Sequence, residues 1–204
     1  TNLKSDDKLV EHLKEEDVEV FRGDNENVLK RILDASKFYQ TDIIIDVEGD
    51  KIYTDPEFID AVINEFENSK IEYVIGNDSQ TKFNSSHGIH GIIPAGFTTK
   101  AIEKLCQLKT MNNADTGYKE FFLNNEFKVK YIVPDNIKEI PKGLRLFLDY
   151  QEDLELARII FKKIENEFNL KNLLELLKNE PKLLEITKPV VDLWSENYEK
   201  TKCN

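Results

Sequence analysis

The chain has 204 residues, a formal net charge of -11 at pH 7, 40% hydrophobic residues and 33% charged residues. This length suits one sizeable α/β domain, and an acidic surface without a basic stripe disfavours direct binding to a nucleic-acid backbone. No run of about 18 apolar residues is present for membrane insertion. Cys106 and Cys203 have neither zinc-site nor disulfide spacing, which favours a reducing, cytoplasmic location.

Helical and strand-like patterns alternate along the chain. Periodicity and capping residues predict helices at Ser5–Glu16, Val28–Tyr39, Asp55-Pro56-Glu57 onward, Thr98–Leu108, Tyr118–Leu123, Gln151–Phe168, and Leu170–Tyr198 with breaks at Pro181 and Pro189. Short apolar runs predict strands at Val18–Phe21, Ile43–Val47, Glu72–Gly76, within Gly88–Phe97, Lys128–Val133 and Leu144–Leu148. Ile43–Val47 is typical of a central parallel strand because it starts apolar on both faces. The alternation predicts a layered α/β sheet.

The first acidic segment follows the predicted strand Ile43–Val47. Strand alternation would place Asp46, Glu48 and Asp50 on one face. Ligands of open α/β sheets bind outside the carboxyl ends of strands, and three converging carboxylates favour a cation such as Mg²⁺. Gly49 would let the backbone turn or a ligand approach. The alternative is a solvated acidic turn leading to a helix that Asp55 caps.

The second acidic segment begins where the apolar run Leu144–Leu148 ends at Asp149. Folded beside the first segment, Asp149 and Asp50 could hold one divalent cation. Taken alone, this segment has another explanation. Asp149 and Glu152 have capping-box spacing, so Asp149 could simply cap the following helix.

Three segments, in this order, resemble the cytidylyltransferase family: VFRGDNENVLKRILDA, DIIIDVEGDKIYTDPEFIDAVI and LRLFLDYQEDLELARIIF. The likeness is strongest to the branch named for spore-coat polysaccharide biosynthesis protein F. Enzymes that activate 3-deoxy-manno-octulosonate and sialic acids are more distant. The resemblance implies a three-layer nucleotide-diphosphosugar transferase-like fold with a mixed, mostly parallel sheet. It divides the chain into a core, residues 1–168, and a C-terminal helical extension, residues 169–204.

The resemblance also implies an activity and its residues. CTP would activate an acidic sugar or phosphorylated small-molecule acceptor in surface polysaccharide or glycoconjugate biosynthesis, with Mg²⁺ held by the catalytic residues Asp50 and Asp149. The expected nucleotide contacts are Arg22, Glu48 and Gly49. The expected substrate contacts are His87, His90 and Arg145. Loop histidines with local hydrogen bonds and a surface arginine are the alternatives, and a homodimer is left open.

Three departures from the family pattern carry their own expectations. The family's first strand and triphosphate loop have no counterpart after Thr1, so we expect an N-terminally truncated fold with little activity on its own. Lys51 or Ile52 and Gln151 replace family prolines. Gly88–Pro94 lacks a usual acidic contact and contains His90, which predicts that His90 sets acceptor choice. A metal-dependent glycosyltransferase using Glu48-Gly49-Asp50, or a non-catalytic nucleotidyltransferase-like binding module, are the competing hypotheses.

Overall fold

A computed structural model describes residues 1–67, 70–76, 91–108, 122, 127–136, 139–141, 143–164, 168–191 and 193. The helices are α1 Asp7–Glu15, α2 Val28–Phe38, α3 Pro56–Glu67, α4 Thr99–Leu108, α5 Gln151–Lys163 and α6 Leu170–Asn179. The strands are β1 Ile43–Asp46, β2 Tyr73–Gly76, β3 Ala95–Thr98 and β4 Val129–Ile132. Within these residues, no helix has both the length and the apolar character needed to cross a bilayer.

The four described strands form one sheet in the order β1-β3-β2-β4. The Thr99 N–H, after β3, donates to the Asp42 carbonyl, before β1, at 2.9 Å, and Thr98 donates to Glu72 at 3.1 Å. β3 is therefore antiparallel to both β1 and β2. β2 and β4 start together, since the Tyr73 N–H donates to the Lys128 carbonyl at 3.2 Å, so they are parallel. The predicted α/β class with a mixed sheet is confirmed.

Among the strands that the structure describes, β1 does not have the central parallel position that its apolar sequence predicted. It stands at one end of the described strand order, its neighbour β3 is antiparallel, and its residues are only half-buried. An apolar run does not reveal which strands will flank it, because burial on both faces can come from helices or from other strands.

Two predicted strands are not strands. At Val18–Phe21, the Val18 N–H closes the end of α1 by donating to the Leu13 carbonyl at 2.8 Å, while Asp17 adopts a left-handed φ of 57°. In this Schellman-type helix end the Val18 N–H is bonded to α1, so it is not available for pairing with a neighbouring strand. Residues Leu144–Leu148 form no regular secondary structure, and the Leu148 N–H donates to the carbonyl of Asp50 in a loop.

The C-terminal helices follow the prediction in part. The break at Pro181 is confirmed, because a short 3₁₀ turn covers Pro181–Leu183. The break at Pro189 is wrong, since residues 184–191 are helical. Leu183, Thr187 and Val190 are buried at helical spacing, and this buried stripe accounts for a helix that continues through the proline.

The described chain divides into two compact units, and the first comprises Thr1–Ile44, Ser69–Tyr73 and Gly96–Val129. Its core contains stacked aromatic rings, with centroids 4.3 Å apart for Tyr73 and Phe122 and 5.7 Å apart for Phe97 and Phe122. Lys37 on α2 pairs with Glu103 on α4 at 2.6 Å. This unit holds α1, α2 and α4.

The second unit comprises Ile45–Asn68, Val74–Ala95 and Lys130–Asn204, and holds α3, α5 and α6. The predicted cap Asp55 is confirmed: its Oδ1 accepts the Glu57 N–H at 2.9 Å. Its Oδ2 also accepts the N–H of Leu170, the first residue of α6, at 2.7 Å. One buried carboxylate thus satisfies orphan N–H groups at the starts of two helices. The proposed boundary between residues 168 and 169 stays a prediction.

Candidate functional site

The acidic segment after β1 forms a turn. β1 ends at Asp46, and the Lys51 N–H then donates to the Glu48 carbonyl at 2.9 Å. The predicted alternation of Asp46, Glu48 and Asp50 is therefore wrong, because strand geometry does not extend beyond Asp46. Gly49 lies exposed at the tip, and a Cβ there would meet nothing within 4 Å.

The turn ends at a buried lysine, Lys51, whose burial was not predicted from the sequence. Lys51 is 8% exposed and its ammonium pairs with the Glu48 carboxylate. The ammonium also lies 5.9 Å from the centroid of the Phe147 ring. Because a buried charge needs a partner, Glu48 serves here as the counter-charge of Lys51. The role of Glu48 in nucleotide binding stays a prediction.

The two acidic segments meet within the second unit. The Leu148 N–H donates to the Asp50 carbonyl oxygen at 3.0 Å, which places Asp149 one residue from this contact. Gly91 approaches the same segment from another part of the unit, since a Cβ on Gly91 would lie 2.7 Å from the Leu146 Cβ. The shared use of one cation by Asp50 and Asp149 stays a prediction, and this backbone contact supports it.

Asp149 is not the cap of α5, which removes the alternative explanation for its position. The N-cap is Tyr150, and the carboxylate that serves it is Asp153 at the third helical position. Asp153 Oδ2 accepts the backbone N–H groups of Asp149 and Tyr150, each at 3.0 Å. The Asp149 side chain is instead 39% exposed and accepts from Arg145 Nη2 at 2.8 Å.

Arg145, Asp149 and Asp153 form a charged cluster that we call the Arg145 triad. Arg145 Nε and Nη2 donate to Asp153 Oδ1 and Oδ2, each at 3.0 Å, in a bidentate pair. Arg145 is 4% exposed and Asp153 is 3% exposed. Burial alone lowers the pKa of Arg145, but hydrogen bonds and charge attraction from Asp153 and Asp149 outweigh it and raise the pKa above its ordinary value.

The triad changes the interpretation of Arg145 and gives Asp153 a role that was not predicted from the sequence. Its guanidinium is engaged with two carboxylates and packs 5.2 Å from the Tyr150 ring centroid. This geometry favours a positioning role for Arg145. Direct contact between Arg145 and substrate stays a prediction. Asp153 was not among the site residues predicted from the sequence. The local signal that could have identified it is its position three residues after the N-cap Tyr150, where a carboxylate can accept N-cap hydrogen bonds.

The remaining predicted site residues lie elsewhere or outside the description. In the first unit, Arg22 donates to the carbonyls of Thr1 and Leu3 at 2.6 and 2.7 Å and pairs with Asp7 at 2.7 Å. Its role in nucleotide binding stays a prediction. His87 and His90 lie outside the described residues, so their roles also stay predictions.

The donor set near the turn suits magnesium. In the described ranges, no group of three or more His, Cys, Asp and Glu side chains forms a complete metal cage. Magnesium commonly takes one or two carboxylates and completes its shell with water and substrate phosphates. Asp50, half-buried, and Asp149, with an exposed carboxylate, supply two oxygen donors of this type, and a magnesium ion shared by them stays a prediction.

We predict that Gly91→Ala destabilises the protein by about 1–3 kcal/mol, the usual cost of overpacking. The new Cβ would overlap the Leu146 carbonyl oxygen, which belongs to backbone and cannot move aside alone. Urea denaturation measures the change in unfolding free energy. Gly49→Ala is the stability control, because its Cβ meets nothing within 4 Å. Equal stability of the two variants would contradict the close approach of Gly91 to Leu146.

The fold and the site define a class of protein. A mixed α/β sheet with acidic loops beyond a strand's carboxyl end is typical of proteins that bind nucleotides or other phosphate-bearing ligands. The sequence profile of the cytidylyltransferase family matches residues 2–180, and the chain belongs to that family. The family-level resemblance is therefore confirmed.

Several relatives are similar to this chain. An uncharacterised protein of Methanocaldococcus jannaschii is 30% identical over 84% of this chain and 66% of its own length. Spore coat polysaccharide biosynthesis protein SpsF of Bacillus subtilis is 22% identical over 80% of this chain and 65% of its own length. The chain thus spans just under two thirds of these relatives. The structure of a cytidylyltransferase from Leptospira borgpetersenii has a TM-score of 0.78 and 26% identity, over 90% of this chain and 76% of that one.

Proposed function

We propose that the protein is a nucleotidyltransferase that uses CTP to activate an acidic sugar or related small molecule in surface polysaccharide or glycoconjugate biosynthesis. The observation that carries this proposal is the hydrogen bond from the Leu148 N–H to the Asp50 carbonyl at 3.0 Å. It brings the two acidic segments of the family pattern together. The family membership supports the reaction class, and the similarity to SpsF supports the pathway.

The reaction is a displacement at phosphorus. A carboxylate, hydroxyl or phosphate oxygen of the acceptor forms a bond to the α-phosphorus of CTP, and a hydroxyl acceptor releases its proton to solvent. The bond from that phosphorus to the α–β bridging oxygen breaks, and pyrophosphate leaves with the electron pair. Such reactions depend mainly on positioning and on charge neutralisation.

The chain's own residues would contribute in distinct ways. Asp50 and Asp149 would hold Mg²⁺, which when bound neutralises phosphate charge. Gly49 leaves the tip of the turn open, so a phosphate could approach the backbone there. Arg145 holds Asp149 through Nη2 at 2.8 Å, which restricts that carboxylate to one orientation. The histidines at 87 and 90 are proposed to contact the acceptor.

The direct test is pyrophosphate release by protein expressed from the whole reading frame that encodes this chain. The reactions contain Mg²⁺ and one acceptor from a panel of acidic sugars and phosphorylated small molecules. We expect release that needs both nucleotide and acceptor, and a higher kcat/KM with CTP than with ATP, GTP or UTP. Reactions without acceptor, and reactions with EDTA, are the controls.

The same assay separates the competing functions. Transfer of sugar from a nucleotide-sugar donor, with no pyrophosphate formed, would identify a glycosyltransferase. Tight binding of CTP without turnover of any acceptor would instead identify a binding module. Either result would overturn the proposed function.

A further inference from the structure

We propose that Asp153 is a positioning residue for the Asp50–Asp149 site, acting on Asp149 both directly and through Arg145. It holds the Asp149 main chain and side chain in one arrangement, and it offsets the charge of Arg145 so that the site stays attractive to a divalent cation. The inference rests on the proposed function in one respect, the assignment of Asp149 as a cation ligand.

Asp153 holds Asp149 at two places. Its Oδ2 accepts the Asp149 backbone N–H at 3.0 Å, which anchors the main chain. Its two oxygens also bind Arg145, each at 3.0 Å, and Arg145 Nη2 binds Asp149 Oδ2 at 2.8 Å. With four N–H donors, the Asp153 carboxylate has its acceptor sites largely filled, and at 3% exposed it is not free to rotate. The Asp153 carboxylate therefore holds the Asp149 main chain directly and the Asp149 side chain through Arg145.

This attachment leaves one oxygen of Asp149 for a ligand. Within the part of the chain that the structure describes, the hydrogen bond to this carboxylate is made to Oδ2. Its side chain is 39% exposed, which leaves room for a ligand to approach the carboxylate. A metal ligand is normally oriented in this way by hydrogen bonds from residues behind it. The first acidic segment lies alongside, because Leu148 is bonded to the Asp50 carbonyl.

The charges of the triad explain why Asp153 is needed in addition to Arg145. Arg145 carries one positive charge, and paired with Asp149 alone it would cancel the charge of that ligand. Asp153 supplies a second negative charge, so the triad keeps a net charge of one negative unit. Asp50 adds a further negative charge next to the triad, and Glu48 and Lys51 offset each other. An excess of negative charge on oxygen ligands favours binding of a divalent cation.

The test measures binding of Mn²⁺, as a probe for the cation, by calorimetry with and without CTP. We expect Asp153→Asn to weaken Mn²⁺ binding by about 10–100-fold, the range found when partners of metal ligands are changed. Glu155→Gln is the matched control, since this acid lies exposed on the same helix and should bind Mn²⁺ as the wild type does. Circular dichroism verifies that each variant is folded.

A second variant keeps the inference testable if Asp153→Asn does not fold. Arg145→Met combined with Asp153→Leu replaces the buried ion pair by apolar groups, an exchange that proteins often tolerate. The two ligand charges remain, but Asp149 loses both attachments. We expect the double variant to bind Mn²⁺ about 10-fold more weakly than the wild type. Because the net charge is unchanged, this loss would reflect the positioning of Asp149.

The outcomes separate this inference from the proposed function. If the folded Asp153→Asn protein binds Mn²⁺ with an affinity within twofold of wild type, the inference alone is overturned. If Asp153→Asn does not fold, the same result in the folded double variant overturns it. If Asp50→Asn and Asp149→Asn each bind Mn²⁺ as tightly as the wild type does, both the cation site and the inference are overturned. Weakened binding in Asp153→Asn, with normal binding in Glu155→Gln, supports the positioning role.

Discussion

In protein expressed from the whole reading frame, Asp149→Asn is expected to lower kcat for pyrophosphate release by more than about 100-fold while leaving the fold intact. Changes to residues that only orient a metal ligand already reduce activity 10–100-fold, so loss of a ligand's charge should exceed that range. The free energy of unfolding should change little, because the Asp149 side chain is 39% exposed and ion pairs of exposed groups contribute little to stability. Asparagine keeps an oxygen that can accept from Arg145.

The matched control for this variant is Asp34→Asn on α2. Asp34 is also 39% exposed and is also paired with a cation, Lys30. The two substitutions thus remove the same charge from similar surroundings, and only one lies in the candidate site. We expect Asp34→Asn to retain wild-type kcat and KM. If Asp149→Asn keeps more than half of the wild-type rate, Asp149 is not part of the catalytic site.

Asp153→Ala is expected to reduce the free energy of unfolding by about 3–5 kcal/mol, the usual effect of removing one member of a buried ion pair. Arg145 would stay 4% exposed with its bidentate partner gone. The N–H groups of Asp149 and Tyr150 would lose their shared acceptor at the start of α5. For a protein with an ordinary total stability of roughly 5–15 kcal/mol, this is a large part of the whole.

Denaturation with urea, followed by circular dichroism, measures the Asp153→Ala effect. Glu155→Ala is the control on the same helix, since its side chain is exposed. Surface substitutions of that kind usually change stability by no more than about 0.5 kcal/mol. A loss below about 1 kcal/mol in Asp153→Ala would contradict the account of the triad, because it would mean that Arg145 is satisfied without Asp153.

Local signals in the sequence predicted the starts of several described helices. Asp55 before Pro56 identified the start of α3. The helix predicted from Val28 also begins there, and the structure adds that the Asn27 side chain caps it by accepting the Lys30 N–H at 2.9 Å. Such signals succeed because a cap bonds to groups two or three residues away, so the whole interaction is written in one short segment. The acidic segments were visible for the same reason.

Other features needed contacts between distant segments. Leu144–Leu148 has the composition of a strand, yet its Leu148 N–H bonds to Asp50, so it is a loop that carries Asp149 to the site. The second bond of Asp55 goes to Leu170, 115 residues away. No local pattern specifies such a partner. Burial likewise depends on neighbours from the whole unit, and neither Lys51 nor Arg145 has a sequence environment that marks it as buried.

The sequence by itself determined the family, the α/β class and the two acidic segments, because these depend on residue types in order along the chain. It left two explanations for Asp149, a metal ligand and a helix cap. Only the tertiary structure excluded the cap, since Asp153 occupies that role and Arg145 holds the Asp149 carboxylate. The physical reason is that a carboxylate's function depends on which donors reach it. In a folded chain those donors come from packing as much as from adjacent residues.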